Sequence, residues 1–190
     1  MTTDDSFFVH EKAICESREV GRGTRIWAFS HVMQGARVGA DCNLGEHVFV
    51  ESGAVIGDRC TIKNGVQVWD KVVLEDEVFL GPMCVLTNDL RPRVAFKNPP
   101  EKFLTTLIQR GATIGAGAVI VCGTTIGTQA FVAAGAVVIR DVAAHALVVG
   151  NPAQRVAWAC ACGETLPDSL VCGCGRGYRL ISEAEGLEAV

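Results

Sequence analysis

Tyrosine is nearly missing from this chain, with one among 190 residues, and aromatic residues of all kinds make up 6%. A core built from packed rings is therefore excluded, and aliphatic side chains must supply the burial. Proline is also scarce, at six residues. No stretch approaches the roughly 18 uninterrupted apolar residues of a membrane-spanning helix. There is no block of like charge either: seventeen basic and twenty-one acidic residues leave a formal charge of −4, which argues against nucleic acid or an anionic membrane as partner. Met1 to Phe8 carry acids and a short apolar pair where a secretory signal would place a basic start and an apolar run, so a cytoplasmic location is expected. Without a signal, nine cysteines read as buried thiols or metal ligands rather than as a disulfide framework.

Glycine is abundant, at 21 residues, and it falls at regular intervals. Every sixth residue from Phe8 is apolar: Ile14, Val20, Ile26, Val32, Val38, Leu44, Val50, Ile56, Ile62, Val68, Leu74, Leu80 and Leu86. The period resumes in a shifted register at Ile108, Ile114, Ile120, Ile126, Val132 and Val138. Four residues after each aliphatic stands mostly a small or β-branched side chain, such as Thr24, Ser30, Ala36, Cys42, Cys60 and Cys84, and glycine often follows the aliphatic directly. A helix of 3.6 residues per turn cannot keep a period of six on one face. One continuous strand of this length is equally excluded. What remains is an all-β solenoid that turns a corner every six residues, with about 18 residues per triangular coil and coils stacked roughly 4.8 Å apart.

The period breaks between Leu86 and Ile108, where three prolines and several charges mark a loop thrown out of the coil, expected to be functional. After Val138 the pattern fades towards Gly150, Asn151, Pro152 and Ala153, and Pro152 is expected to end strand pairing. The expected layout is a solenoid over 7–150, a loop insertion over 87–107, and a C-terminal tail over 151–190. In that tail Cys160, Cys162, Cys172 and Cys174 form two CxC pairs nine residues apart. A structural zinc and free thiols are both open readings, and disulfides come third. Cys42, Cys60, Cys84 and Cys122 read as compact core residues with no chemistry.

The six-residue repeat, the loop opening Leu86, Thr87, Asn88, Asp89 with Arg91, Pro92 and Arg93, and the Gly150, Asn151, Pro152, Ala153 end together resemble the hexapeptide-repeat acyltransferases. Over about Phe7 to Trp158 the likeness is strongest to the N-acetyltransferases that act on 3-amino sugars attached to UDP or dTDP in surface-polysaccharide synthesis, including the 3-amino-glucuronate enzymes. The resemblance implies a left-handed parallel β-helix and a homotrimer with active sites in the clefts between neighbouring chains. It also implies acetyl-CoA along the C-terminal coils and a nucleotide-linked amino sugar beside the N-terminal coils and the loop.

Backbone N–H groups near Gly115, Gly117, Ala133, Ala134 and Gly135 are then candidates for the pantetheine amides or thioester oxygen, beside the Asn151 and Pro152 end. Arg155, with Arg140 second, is the candidate for the CoA phosphates, the plain alternative being a solvated surface charge. The resemblance implies no dedicated protein base: Asn88 positions the amine, and the departing CoA sulfur takes the proton. An Asx-turn opening the loop is an equal and compatible reading of Asn88. His31 is the runner-up base. On the nucleotide-sugar side the candidates are Arg25, Trp27, Glu51, Lys63, Asn64, Trp69, Asp70, Arg91 and Arg93, the cations for a pyrophosphate and Trp69 for stacking or for covering the trimer face. Two rival functions are a γ-type carbonic anhydrase, for which His10, His31, His47 and His145 are badly spaced, and a trimeric scaffold without catalysis.

Overall fold

The structure is a computed structural model that describes residues 6–190. Strands of two or three residues alternate with corners and stack into three parallel sheets, the faces of a prism. The first face runs from Phe8–Val9 through Thr61–Ile62 to Phe131–Val132 and Ala146–Val149. The second holds Ile14–Cys15 to Gln67–Val68 and continues as Val85–Leu86, Val119–Ile120 and Val137–Val138. The third runs from Glu19–Val20 to Thr125–Ile126. Ile26 pairs with Leu44, Leu44 with Ile62 and Ile62 with Leu80, so one coil is three repeats. The architecture is the parallel β-helix that the period dictates. Each inward Leu or Ile from Ile26 onward is at most 2% exposed, which stabilises the fold by about 1.5–3 kcal/mol per side chain.

The first coil departs from the expected register. Phe8 and Ile14 are 46% and 56% exposed, while Val9 pairs with Ile26 and Cys15 with Val32. The corner between Cys15 and Val20 is one residue short, and a one-residue slip sends alternate side chains to the opposite face. Ser17 fills this corner, donating its hydroxyl to the Ala36 carbonyl at 2.6 Å. The same small-residue site carries Ser30, Thr24, Cys42 and Cys60, which donate to carbonyls of the next coil. The inward Cys42 and Cys60 thiols are thus hydrogen-bonded core groups, and burial pushes the Cys84 thiol up to about 12.

Glycine serves two different needs at the corners. Directly after the aliphatic it admits the neighbouring coil: a Cβ on Gly115 would stand 2.4 Å from the Ala134 nitrogen. Two residues later the backbone has positive φ, from Gly23, Phe29 and Gly35 through Met83 and again from Gly111 to Gly135. Several of these left-handed positions carry large side chains, including Phe29, His47, Arg59, Lys71, Glu77, Met83 and Gln129.

The loop leaves the second face after Leu86 and regains the third at Thr106, two residues before the expected end. Pro152 does not end strand pairing. The chain reverses over Gly150 to Ala153 through a cis Asn151–Pro152 bond, and Gln154–Trp158 returns antiparallel along Ala146–Val149. Pro152 lies in the reversal, where no ladder donor is required. Beyond it, a module with a Tyr178–Ser182 and Gly186–Ala189 hairpin packs Cys160, Leu166, Cys172, Tyr178 and Leu187 into a small core of its own.

Candidate active site and metal centre

The corner column between the first and second faces is open in its C-terminal half. A Cβ at Gly117 or Gly135, both at positive φ, would meet nothing within 4 Å. Most of the backbone donors expected there are already engaged: the N–H groups of Gly115, Gly117, Ala133 and Gly135 bond to Val132, Pro82, Val148 and Ala116 carbonyls at 2.7 to 3.0 Å. Ala134 is the exception among the five candidates, and Ala116, one coil away, matches it; neither N–H has a protein acceptor among the described residues. On another edge the equivalent N–H groups of Ala40 and Asp58 are taken by the carboxylates of Asp58 and Asp76. Small residues stacked above Ala116 and Ala134 supply no such acceptor. Ala116 was legible only as the absence of an Asp one coil further on.

The loop leaves at the other edge of the second face. Thr87 Oγ1 accepts from Cys122 N at 2.9 Å, and the Trp69 indole N–H donates to the Leu86 carbonyl at 2.7 Å. Trp69 is half-buried against Phe49 and braces the loop. The turn is made by Asp89, which accepts from Arg91 N at 2.9 Å and from the Asn98 amide at 2.8 Å. Asn88 is half-buried and its side chain bonds to no described protein group, so the Asx-turn reading passes to the next residue. Lys71 holds the far end of the loop through the Pro100 and Phe103 carbonyls. Glu51 accepts from Asp70 N at 2.8 Å beneath this corner, and Arg91 and Arg93 are exposed on the loop.

His31 lies three coils from Asn88, roughly 14 Å at the spacing of paired strands. Its Nε2 is buried 3.4 Å from Glu16 Oε2 without hydrogen-bond geometry; the contact is an electrostatic neighbour and not a made bond. Arg25, Trp27, Lys63 and Asn64 line the first-to-second-face edge on the N-terminal side, exposed, with the Trp27 indole donating to Asn43. The site residues of one chain therefore fall on two edges of the second face. The four histidines are scattered along the coils and into the capping segment.

At the C-terminal end a cavity of about 240 Å³ is lined by Val138 to Ala143, Gln154, Arg155 and Glu183. Arg155 is exposed but engaged: it pairs with Glu183 and stacks on Trp158, 4.1 Å from the ring centre. Arg140 donates to the neutral Gln154 amide at 2.7 Å. Asn151 and Pro152 are exposed in the reversal beside it.

The four tail cysteines converge. All four Sγ atoms lie within 4.8 Å of one another, with Cys160 to Cys174 and Cys162 to Cys172 each at 3.6 Å. No disulfide is formed. A tetrahedral zinc with Zn–S bonds of about 2.3 Å requires sulfurs roughly 3.8 Å apart, close to the two 3.6 Å separations. Each CxC closes a tight turn, Gly163 N to Cys160 O and Gly175 N to Cys172 O. Arg176 N–H groups lower Cys174 to about 6, and the Tyr178 hydroxyl meets Cys160 Sγ at 3.1 Å.

The coils, the glycine-floored edge and the loop mouth define a hexapeptide-repeat protein of the transferase type. The hexapeptide repeat of succinyl-transferase matches residues 35–68 and 107–140. The chain is 44% identical over 181 residues to dTDP-3-amino-3,6-dideoxy-alpha-D-galactopyranose 3-N-acetyltransferase of Aneurinibacillus thermoaerophilus, covering 94% of this chain and 93% of that one. It is 29% identical to the bifunctional protein GlmU of Thermosynechococcus vestitus over 76% of its own length, spanning 30% of that relative. Among solved structures, a hexapeptide-repeat acetyltransferase of Vibrio cholerae complexed with acetyl coenzyme A is similar, with TM-score 0.54 and 25% identity over 65% of this chain and 70% of that one. The acetyltransferase domain of PglB from Neisseria gonorrhoeae shares the fold, with TM-score 0.51 and 24% identity over 80% of this chain and 58% of that one. The chain belongs to the hexapeptide-repeat acyltransferase family.

Proposed function

We propose that the protein is an acetyl-CoA-dependent N-acetyltransferase for the 3-amino group of a nucleotide-linked sugar, dTDP-linked in preference to UDP-linked. The near full-length likeness to a dTDP-3-amino-sugar 3-N-acetyltransferase carries this reading. The glycine-floored edge takes the pantetheine arm, and the N–H groups of Ala116 and Ala134 stabilise the thioester oxygen as it gains charge. The Asn88 amide orients the amine. The amine nitrogen bonds to the thioester carbon, the C–S bond breaks, and the departing sulfur takes the proton from nitrogen, leaving amide and CoA thiol. Arg140, held by a neutral amide, is better placed for a CoA phosphate than Arg155, whose charge Glu183 already meets.

Gly117 and Asn88 belong to adjoining coils but to opposite edges of the second face. One ligand meets both only if the glycine edge of one chain faces the loop mouth of another, which is what a cyclic trimer supplies. The product serves surface-polysaccharide synthesis, and the reaction belongs in the cytoplasm with its acetyl-CoA. The four-cysteine cluster holds a structural zinc: four thiolates leave no open position for catalysis. Elemental analysis should give one zinc per chain, and a metal-free folded protein contradicts the zinc.

Release of CoA thiol across a panel of dTDP- and UDP-linked 3-amino sugars tests the function, beside calorimetric titration with acetyl-CoA. Turnover with a dTDP-linked substrate is expected. No heat with acetyl-CoA and no thiol from any substrate would instead support a scaffold.

A further inference from the structure

We infer that the stacked rings of Phe29 and His47 form the seat of the substrate's nucleobase; this rests on the nucleotide-sugar reading above. The two rings lie 5.0 Å apart and 15° from parallel, on the same edge as the glycine groove. Phe29 is 54% exposed and His47 is also exposed. Both residues have positive φ, 61° and 58°, in a conformation that disfavours a branched or ring-bearing side chain.

Other large side chains at this corner position are occupied within the chain. Arg59 and Glu77 pair with each other, Lys71 ties down the loop, and Met83 and Gln129 lie over Gly65 and Gly111. Among the described residues, the Phe29 and His47 rings have ring or cation contacts only with each other and with the Lys12 ammonium, 5.8 Å from the Phe29 ring centre. The column continues as Gly65, Met83, Gly117 and Gly135. His47 is thus three coils from Gly117, roughly 14 Å, and exposed Lys63 stands one coil from His47 on the side of the groove. A planar base on the rings, a diphosphate at Lys63 and a sugar reaching towards the thioester held at Ala116 follow one straight edge. Stacking on aromatic faces is tolerant of base identity, so this seat binds the nucleotide without choosing between thymine and uracil.

Phe29→Gly and His47→Gly test the inference, because glycine is the common occupant of the position and the backbone is relieved rather than strained. Calorimetry with dTDP and with UDP should show about tenfold weaker binding for each variant. The KM for nucleotide sugar should rise while the KM for acetyl-CoA and the mass by light scattering stay unchanged, and Phe29→Trp should restore binding. Unchanged nucleotide affinity overturns the inference, as does loss of the assembled mass with nucleotide affinity intact, which would make these rings an interface between copies. Wild-type protein that binds neither dTDP nor UDP overturns the nucleotide-sugar reading as well, which separates the two failures.

Discussion

The coils and the C-terminal module keep their shape by different means. From Ile26 to Val138 the coils repeat one buried aliphatic in every strand, so no single residue decides whether the solenoid forms. The module beyond Trp158 buries five residues in its own core, and two of them are cysteines of the four-sulfur cluster. Stability is spread along the first region and concentrated at one point in the second. The module nevertheless reaches the coils: Ala144 bonds to Glu185 and Leu187, His145 Nδ1 meets the Ala159 carbonyl at 2.9 Å, and its ring packs on Tyr178.

The sharpest way to break this comparison is to deprive the cysteine cluster of the proposed zinc. Structural zinc contributes on the order of 10 kcal/mol to small metal-dependent folds, so chelation, or Cys172→Ser, should abolish amide protection across 160–190 and leave the coils protected in hydrogen-exchange mass spectrometry. Loss of protection in both regions together would merge them into one unit. The reverse cut is Ile62→Ala, expected to destabilise the coils by about 2–5 kcal/mol in denaturant unfolding while zinc content stays at one per chain. A third test separates catalysis from architecture. Asn88→Ala should lower kcat/KM by roughly ten- to a hundredfold, the worth of one hydrogen bond of about 1.5–3 kcal/mol to a charge-bearing centre, with the melting temperature unchanged because Asp89 makes the turn. A folding defect in Asn88→Ala would return the turn to Asn88.

The smallest effect lies at the joint. Burial lowers the pKa of His145 below its ordinary 6.5, so the unfolded chain binds the proton more readily than the folded one. The stabilisation is present above the ordinary value and is lost as pH falls through it. The denaturant midpoint should therefore drop between about pH 7.5 and about pH 5.5, and His145→Asn should flatten that drop.

Most of the fold was legible because the interval from Ile26 to Leu86 repeats without error, and one repeated number fixes a solenoid. The slip at Cys15 to Val20 was hidden because Phe8 and Ile14 are as apolar as the residues that replace them inside. The left-handed corner was hidden for a different reason: Phe29, Lys71 and Gln129 sit where composition alone would place glycine. The cysteine cluster was visible as spacing, but its convergence needed the turns at Gly163 and Gly175. Asn88 could be singled out from the loop motif. That its amide is unclaimed while Asp89 makes the turn depends on side-chain direction, which a sequence does not carry. Arg155 illustrates the same limit, since nothing near it in sequence announces Glu183.

The most direct test of the whole account is the structure of the product. Wild-type protein incubated with acetyl-CoA and a dTDP-linked 3-amino sugar should yield a sugar one acetyl group heavier, with NMR placing that acetyl on the nitrogen at C3. An acetyl group on a hydroxyl, or CoA thiol released while the sugar nucleotide is recovered unchanged, would contradict it.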